Sequence, residues 1–151
     1  MSDAPRDALA ALAALYGRVD AEIDARSPRC ELSGRCCDFP RSGHRLYATD
    51  LEADYALAAR GGALPAAPSG LCPWYVEGRC RNRDGRPLGC RVYFCDPAWE
   101  DEMPAVYERF HAELRDLHER FALPYAYRPF VQSVRERPAA PHADAGREAR
   151  P

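Results

Sequence analysis

The stretch Gly78-Arg79-Cys80-Arg81-Asn82-Arg83-Asp84-Gly85-Arg86-Pro87-Leu88-Gly89-Cys90-Arg91-Val92-Tyr93-Phe94-Cys95 decides how this chain is read. Glycine or proline interrupts it at 78, 85, 87 and 89, and Pro73 lies a little before it. Backbone ladders do not run through so many breakers, so side chains must hold the segment, and its three cysteines are the agents at hand. Working outward, the other cysteines are Cys30, the adjacent pair Cys36-Cys37, and Cys72, which brings the count to 7. All of them fall between residues 30 and 95, so they serve one local structure.

Two chemistries compete for such thiols, metal ligation and disulfide bonding. The count is odd, which leaves one thiol over in any disulfide scheme. Residues 1–7 carry acids and no long apolar core, so they do not read as a secretory signal. The longest apolar run, residues 8–16, is far short of the roughly 20 needed to span a bilayer. A reducing cytoplasm is therefore the expected setting, and there thiols serve metals more often than disulfides. Packed or reactive thiols are the third alternative.

Composition limits the rest. At 151 residues the chain has room for one modest core, but much of its 46% hydrophobic content is alanine and Ile23 is the sole isoleucine. Metal or another cross-link would offset so thin a core. The 21 basic residues are all arginine, and the net charge of -2 gives no global attraction to nucleic acid or anionic lipid.

The flanks read as helices. Leu9, Leu12, Leu15, Val19 and Ile23 recur at steps of three and four, which predicts an amphipathic helix over 4–26, with Asp3 as cap and Ser27-Pro28 as its end. His44-Arg45-Leu46-Tyr47-Ala48 suits a short strand. Thr49-Asp50-Leu51-Glu52 is a capping box, which predicts a helix over 50–60 burying Leu51, Tyr55 and Ala58 and stopping at Gly61-Gly62. A further helix is predicted from about 99–104, capped by Asp101, to Ala122. Its apolar face is Met103, Tyr107, Phe110, Leu114, Leu117 and Phe121, leaving His111 and His118 on the surface. Residues 125–131 read as an aromatic, extended piece, and the tail beyond Arg135 as disordered. The chain thus divides into an N-terminal amphipathic helix (1–27), a cysteine-cluster region (28–97), a C-terminal helix with its aromatic segment (98–135) and a tail (136–151). The expected fold is mainly α, a small irregular domain with a loop-rich cysteine-cluster core stabilised by metal.

Thiolate is a soft donor suited to zinc, ferrous iron and iron–sulfur clusters, at about four per site. Seven exceed one tetrahedral site, so either spare thiols or two ions are implied. Adjacent side chains diverge, so Cys36 and Cys37 more naturally serve two metals, or one metal and one packing role. Arg35, Arg79, Arg81, Arg86 and Arg91 lie beside these cysteines and can offset anionic thiolates, or simply face solvent. A lone loop histidine, His44, is close by in sequence. The arginine-rich loop from Arg79 to Arg91, with Trp74, Tyr75, Tyr93 and Phe94, also suits an anion such as RNA, although neutralising the thiolates accounts for the same arginines. No phosphate-cradling loop, dinucleotide fingerprint or serine–histidine–acid set is present.

The two cysteine blocks resemble the YkgJ-type cysteine-cluster family, described as a zinc- or iron-chelating domain. The first block is Cys30-Glu31-Leu32-Ser33-Gly34-Arg35-Cys36-Cys37, with Ser33 where that family has a second cysteine. The second runs Cys72-Pro73-Trp74, Gly78-Arg79-Cys80, Arg86-Pro87, Cys90-Arg91 and Cys95. Residues 46–50, leading into a helix, resemble the family's connecting segment. The resemblance implies that Cys30, Cys36, Cys37, Cys72, Cys80, Cys90 and Cys95 are the metal ligands, with Arg86 and Arg91 as supporting residues around a cofactor of zinc or iron ions or an iron–sulfur cluster. It implies a metal ion as the partner; the short apolar runs and the net charge of -2 are what speak against a membrane and against nucleic acid. Ser33 either opens a coordination position or is a tolerated change. The resemblance extends to flagellin lysine methylases, larger proteins with a related cysteine block, which makes iron-dependent or radical chemistry the alternative. No S-adenosylmethionine site is recognisable here. A protein- or RNA-binding module built on the arginine-rich loop is the third reading.

Overall fold

The computed structural model describes residues 4–28, 46–62, 64, 72–77, 79–94 and 96–137. The chain is mainly α. Its described residues fall into two compact units, one drawn from Met1–Glu31 and Leu88–Ala126, the other from Leu32–Pro87 and Tyr127–Pro151.

The first unit is helical. Helix α1 spans Ala4–Arg26, as its apolar period predicts, and packs against α5, Met103–Arg120. Leu12, Leu15, Val19 and Ile23 are buried as expected, Tyr16 and Ala8 join them, and Leu9 is only half-buried. On α5 the buried residues are Val106, Phe110, Leu114 and Leu117, together with His111 and His118. The expectation of surface histidines is therefore corrected. Each follows a core residue, Phe110 or Leu117, and the apolar stripe is wide enough to take in its ring.

Two short helices separate these long ones. Helix α3, Leu88–Val92, forms where the glycine and proline pattern predicted only turns, since Pro87 precedes the first turn and costs no helical hydrogen bond. Helix α4, Pro97–Glu100, starts on Asp96, whose side chain accepts the Ala98 N–H at 3.0 Å. Trp99 is buried, and its indole N–H donates to the Val92 carbonyl at 2.7 Å, satisfying its one donor. The cap of α5 is Glu102 rather than Asp101, and Glu102 makes an ion pair with Arg26 of α1. At its C-terminus Ala122 takes φ 55, while Leu123 N–H bonds to His118 O at 2.8 Å and Ala122 N–H to Glu119 O at 3.1 Å. That is a Schellman stop, with alanine in the place glycine usually takes.

The second unit combines short strands with two helices. Strand β1, Tyr47–Thr49, pairs antiparallel with β4, Tyr127–Pro129, matching Tyr47 to Pro129 and Thr49 to Tyr127. Helix α2, Asp50–Ala59, follows β1 directly, and its Schellman stop at Gly61 and Gly62 places both glycines at positive φ. Of the three residues predicted to be buried on this helix, one is. Leu51 is in the core, but Tyr55 is half-buried and Ala58 exposed, while Glu52, Ala53 and Ala56 are buried. Residues 130–136, read partly as an extended piece and partly as tail, form helix α6, Phe130–Glu136. Its packing on α2 is reinforced by ion pairs from Arg128 to Asp50 at 3.2 Å and from Arg137 to Asp54. Residues 138–151 lie outside the described residues.

The capping box of α2 is internal. Thr49 is fully buried and Glu52 is 1% exposed; Thr49 N–H donates to Glu52 Oε1 at 3.0 Å, and Glu52 N–H to Thr49 Oγ1 at 3.3 Å. Glu52→Ala orphans the buried Thr49 N–H, so it is expected to cost about 2–3 kcal/mol in urea unfolding, whereas Glu52→Gln keeps an acceptor and costs less than half of that. A Glu52→Ala loss under about 0.5 kcal/mol, the range of an ordinary surface change, would mean that the box contributes nothing.

Candidate metal centre

Of the seven proposed ligands, Cys72, Cys80 and Cys90 are among the described residues. Cys30, Cys36, Cys37 and Cys95 lie outside them, as do Ser33, Arg35 and His44. Cys72 and Cys80 belong to the second unit and Cys90 to the first.

A tight hairpin carries the first two. Strand β2, Tyr75–Val76, pairs antiparallel with β3, Arg79–Cys80, setting Tyr75 opposite Cys80. The Tyr75 N–H returns to the Cys72 carbonyl at 3.0 Å, so Cys72 opens the turn that leads into the hairpin. The Arg81 N–H reaches the Trp74 carbonyl at 2.8 Å, extending the pairing one step past Cys80. Glu77 takes φ 53 in the short connection between the strands. Pro73 and Trp74 are buried, with the Trp74 ring 6.2 Å from that of Phe130, so the hairpin is seated by its leading edge. Trp74 therefore serves the core and is not an exposed stacking surface.

The chemistry of these thiols suits a soft metal. Among the described residues neither Cys72 nor Cys80 forms a disulfide; Cys72 is 7% exposed and Cys80 half-buried. The Asn82 main-chain N–H points at Cys80 Sγ, 3.4 Å away. An N–H aimed at sulfur from two residues further along favours the thiolate and fixes its orientation, as the hydrogen bonds around metal-bound sulfur do. Zinc or iron would find at Cys72 and Cys80 two donors of the right type on one short framework. Among the described residues, no group of three or more His, Cys, Asp or Glu side chains is arranged to hold an ion.

Cys90 sits in α3 of the first unit, half-buried. Its neighbour Arg91 is 4% exposed, with the guanidinium 3.9 Å over the Tyr16 ring and Nη1 2.8 Å from Asp20 Oδ2. Arg86 turns its Nε to the Arg83 carbonyl at 2.9 Å. Arg79 and Arg81 face solvent, the latter 3.1 Å from Glu77. Tyr16 and Asp20 as partners of Arg91 had no sequence signal, because 71 residues separate Arg91 from Asp20. Asn82 did leave one: Asn-x-Asp-Gly is a turn sequence, and here it begins two residues after Cys80.

A second polar group in the first unit is unrelated to the cysteines. His111 Nε2 lies 2.7 Å from Tyr125 Oη, with Tyr107 stacked on its ring at 5.4 Å. Burial holds the His111 imidazolium pKa below its ordinary value, and the nearby Arg115 charge adds to the effect. His118 Nδ1 is 3.0 Å from the Pro124 carbonyl, which can only accept, so Nδ1 carries the proton.

No helix of the described residues is long and apolar enough to cross a membrane. Comparison of the chain with protein-family models, with curated proteins and with solved structures finds no match.

Proposed function

We propose that the protein is a cysteine-cluster metal-binding protein that chelates zinc or iron, with an iron–sulfur cluster as the form iron would take. The observation that carries this reading is Cys80, a thiol held at a hairpin end with the Asn82 N–H directed at its sulfur. Cys72, buried at the start of the same hairpin, supplies a second soft donor. The seven-cysteine pattern and its resemblance to the YkgJ-type family support the full ligand set of Cys30, Cys36, Cys37, Cys72, Cys80, Cys90 and Cys95. Arg86 and Arg91 follow the same pattern as supporting residues, and a cytoplasmic setting goes with the reading.

The test is metal analysis by mass spectrometry on anaerobically purified protein, with an absorption spectrum of the same sample. Stoichiometric zinc with no colour, or iron with a broad band at roughly 400 nm from sulfur-to-iron charge transfer, is the expected result. Protein that is folded, reduced and free of both metals overturns the proposal. Replacing Cys72 and Cys80 by serine together should lower the metal content, and full retention would remove the hairpin from the site.

A further inference from the structure

Asn82 is 2% exposed, yet it is neither charged nor apolar, and each of its polar groups but one is committed. Its side-chain Nδ2 donates to the Ala56 carbonyl at 2.9 Å. That carbonyl belongs to the last turn of α2, where backbone acceptors run out of helical partners. Its main-chain N–H is directed at Cys80 Sγ at 3.4 Å, and its own carbonyl accepts the Gly85 N–H at 3.1 Å, closing the turn 82–85. The side-chain Oδ1 is buried and has no hydrogen-bond partner among the described residues. The bond that the amide makes to the chain outside its own turn is the one from its donor to Ala56.

Gly85 makes the room. A Cβ built there would stand 2.6 Å from Asn82 Oδ1, 2.9 Å from Nδ2 and 3.0 Å from the Ala59 Cβ. The first two contacts are closer than real side chains tolerate, so any larger residue at 85 would push the amide off Ala56. The position needs glycine for space, not for its backbone angle.

Resting on the metal-binding reading above, we propose that Asn82 is a positioning residue for the Cys80 ligand. Its amide clamps the chain beyond Cys80 to the end of α2, and the clamp holds the residue 82 N–H on the sulfur. Loss of the clamp lets the turn drift, and the thiolate loses the donor that orients it toward a soft cation.

The experiment titrates cobalt(II) alone into the reduced, metal-free full chain, for wild type, Asn82→Ala, Asn82→Asp, Gly85→Ala and Val134→Ala. Asn82→Asp keeps the volume and removes the donor, so it stands in if the alanine variant does not fold. Val134 is a core residue of α6 and reports what lost stability alone does. At saturating cobalt the wild type and Val134→Ala are expected to share one thiolate-to-cobalt charge-transfer band, while both Asn82 variants and Gly85→Ala shift it and weaken binding about 10–100-fold. Asn82 variants whose saturated spectra superimpose on wild type overturn the positioning role while leaving the metal site standing. A wild type that shows no charge-transfer band at all removes the metal-binding reading itself, and this inference with it.

Discussion

On the proposed metal-binding reading, stripping metal from the protein with a chelator is expected to unfold the hairpin that carries Cys72 and Cys80, and returning zinc or iron to restore it. The physical case starts from how little backbone pairing holds that hairpin. Strands β2 and β3 are two residues each, and an isolated two-stranded hairpin is marginal in water. Buried Pro73 and Trp74 and the Asn82 bond to Ala56 seat it on one side. Structural zinc supplies on the order of 10 kcal/mol of folding free energy in small metal-dependent domains, as much as the whole stability of many proteins. Helices α1 and α5 are 23 and 18 residues long and share an apolar seam of their own. Far-ultraviolet circular dichroism should therefore fall only in part on chelation, while amides at 72–85 lose their protection against hydrogen exchange. Metal-free protein that melts cooperatively, at a temperature unmoved by added zinc or iron, would sink the expectation.

What the sequence made legible were features whose causes are local. Helix α1 follows from a run of apolar steps, and its bounds match. Helix α2 starts where Thr49 and Glu52 can cap each other and stops where Gly61 and Gly62 can turn left-handed. The features it hid have causes distant in the chain. Phe130–Glu136 carries β-favouring aromatic neighbours, so only Arg128 and Arg137 reaching Asp50 and Asp54 reveal why it packs as a helix on α2. His111 and His118 looked exposed because nothing near them in sequence shows that Pro124 and Tyr125 fold back onto them. At the candidate site the same division holds. Residue type and spacing marked the cysteines, but the Asn82 bond to Ala56 spans 26 positions and carries no periodic trace.

Phe130→Ala is expected to be the most damaging single substitution in the second unit, costing about 3–5 kcal/mol of unfolding free energy. The ring is 2% exposed and packs at 6.2 Å, tilted by 40°, against Trp74, which is itself 3% exposed. Truncation leaves a void between helix α6 and the start of the hairpin that the short strands cannot collapse to fill. The backbone at 130 is spared: its N–H donates to the Leu46 carbonyl at 2.8 Å, a bond alanine keeps, so the loss measures packing and not the β1–β4 ladder. Phe130→Leu, which retains most of the volume, should cost about 1–1.5 kcal/mol. Tyr127 provides the internal contrast. It is 39% exposed and stacks only loosely on Tyr47 at 5.4 Å, so Tyr127→Ala should cost well under 1 kcal/mol. Urea unfolding of the three variants decides the matter, and a Phe130→Ala loss no larger than that of Tyr127→Ala would show that Trp74 is not seated by this contact. Because Trp74 lies between Cys72 and the hairpin, a seat lost at Phe130 should also reach the thiols. Alkylation of Cys72 in the metal-free variant should then be faster than in wild type, whereas Tyr127→Ala leaves it unchanged.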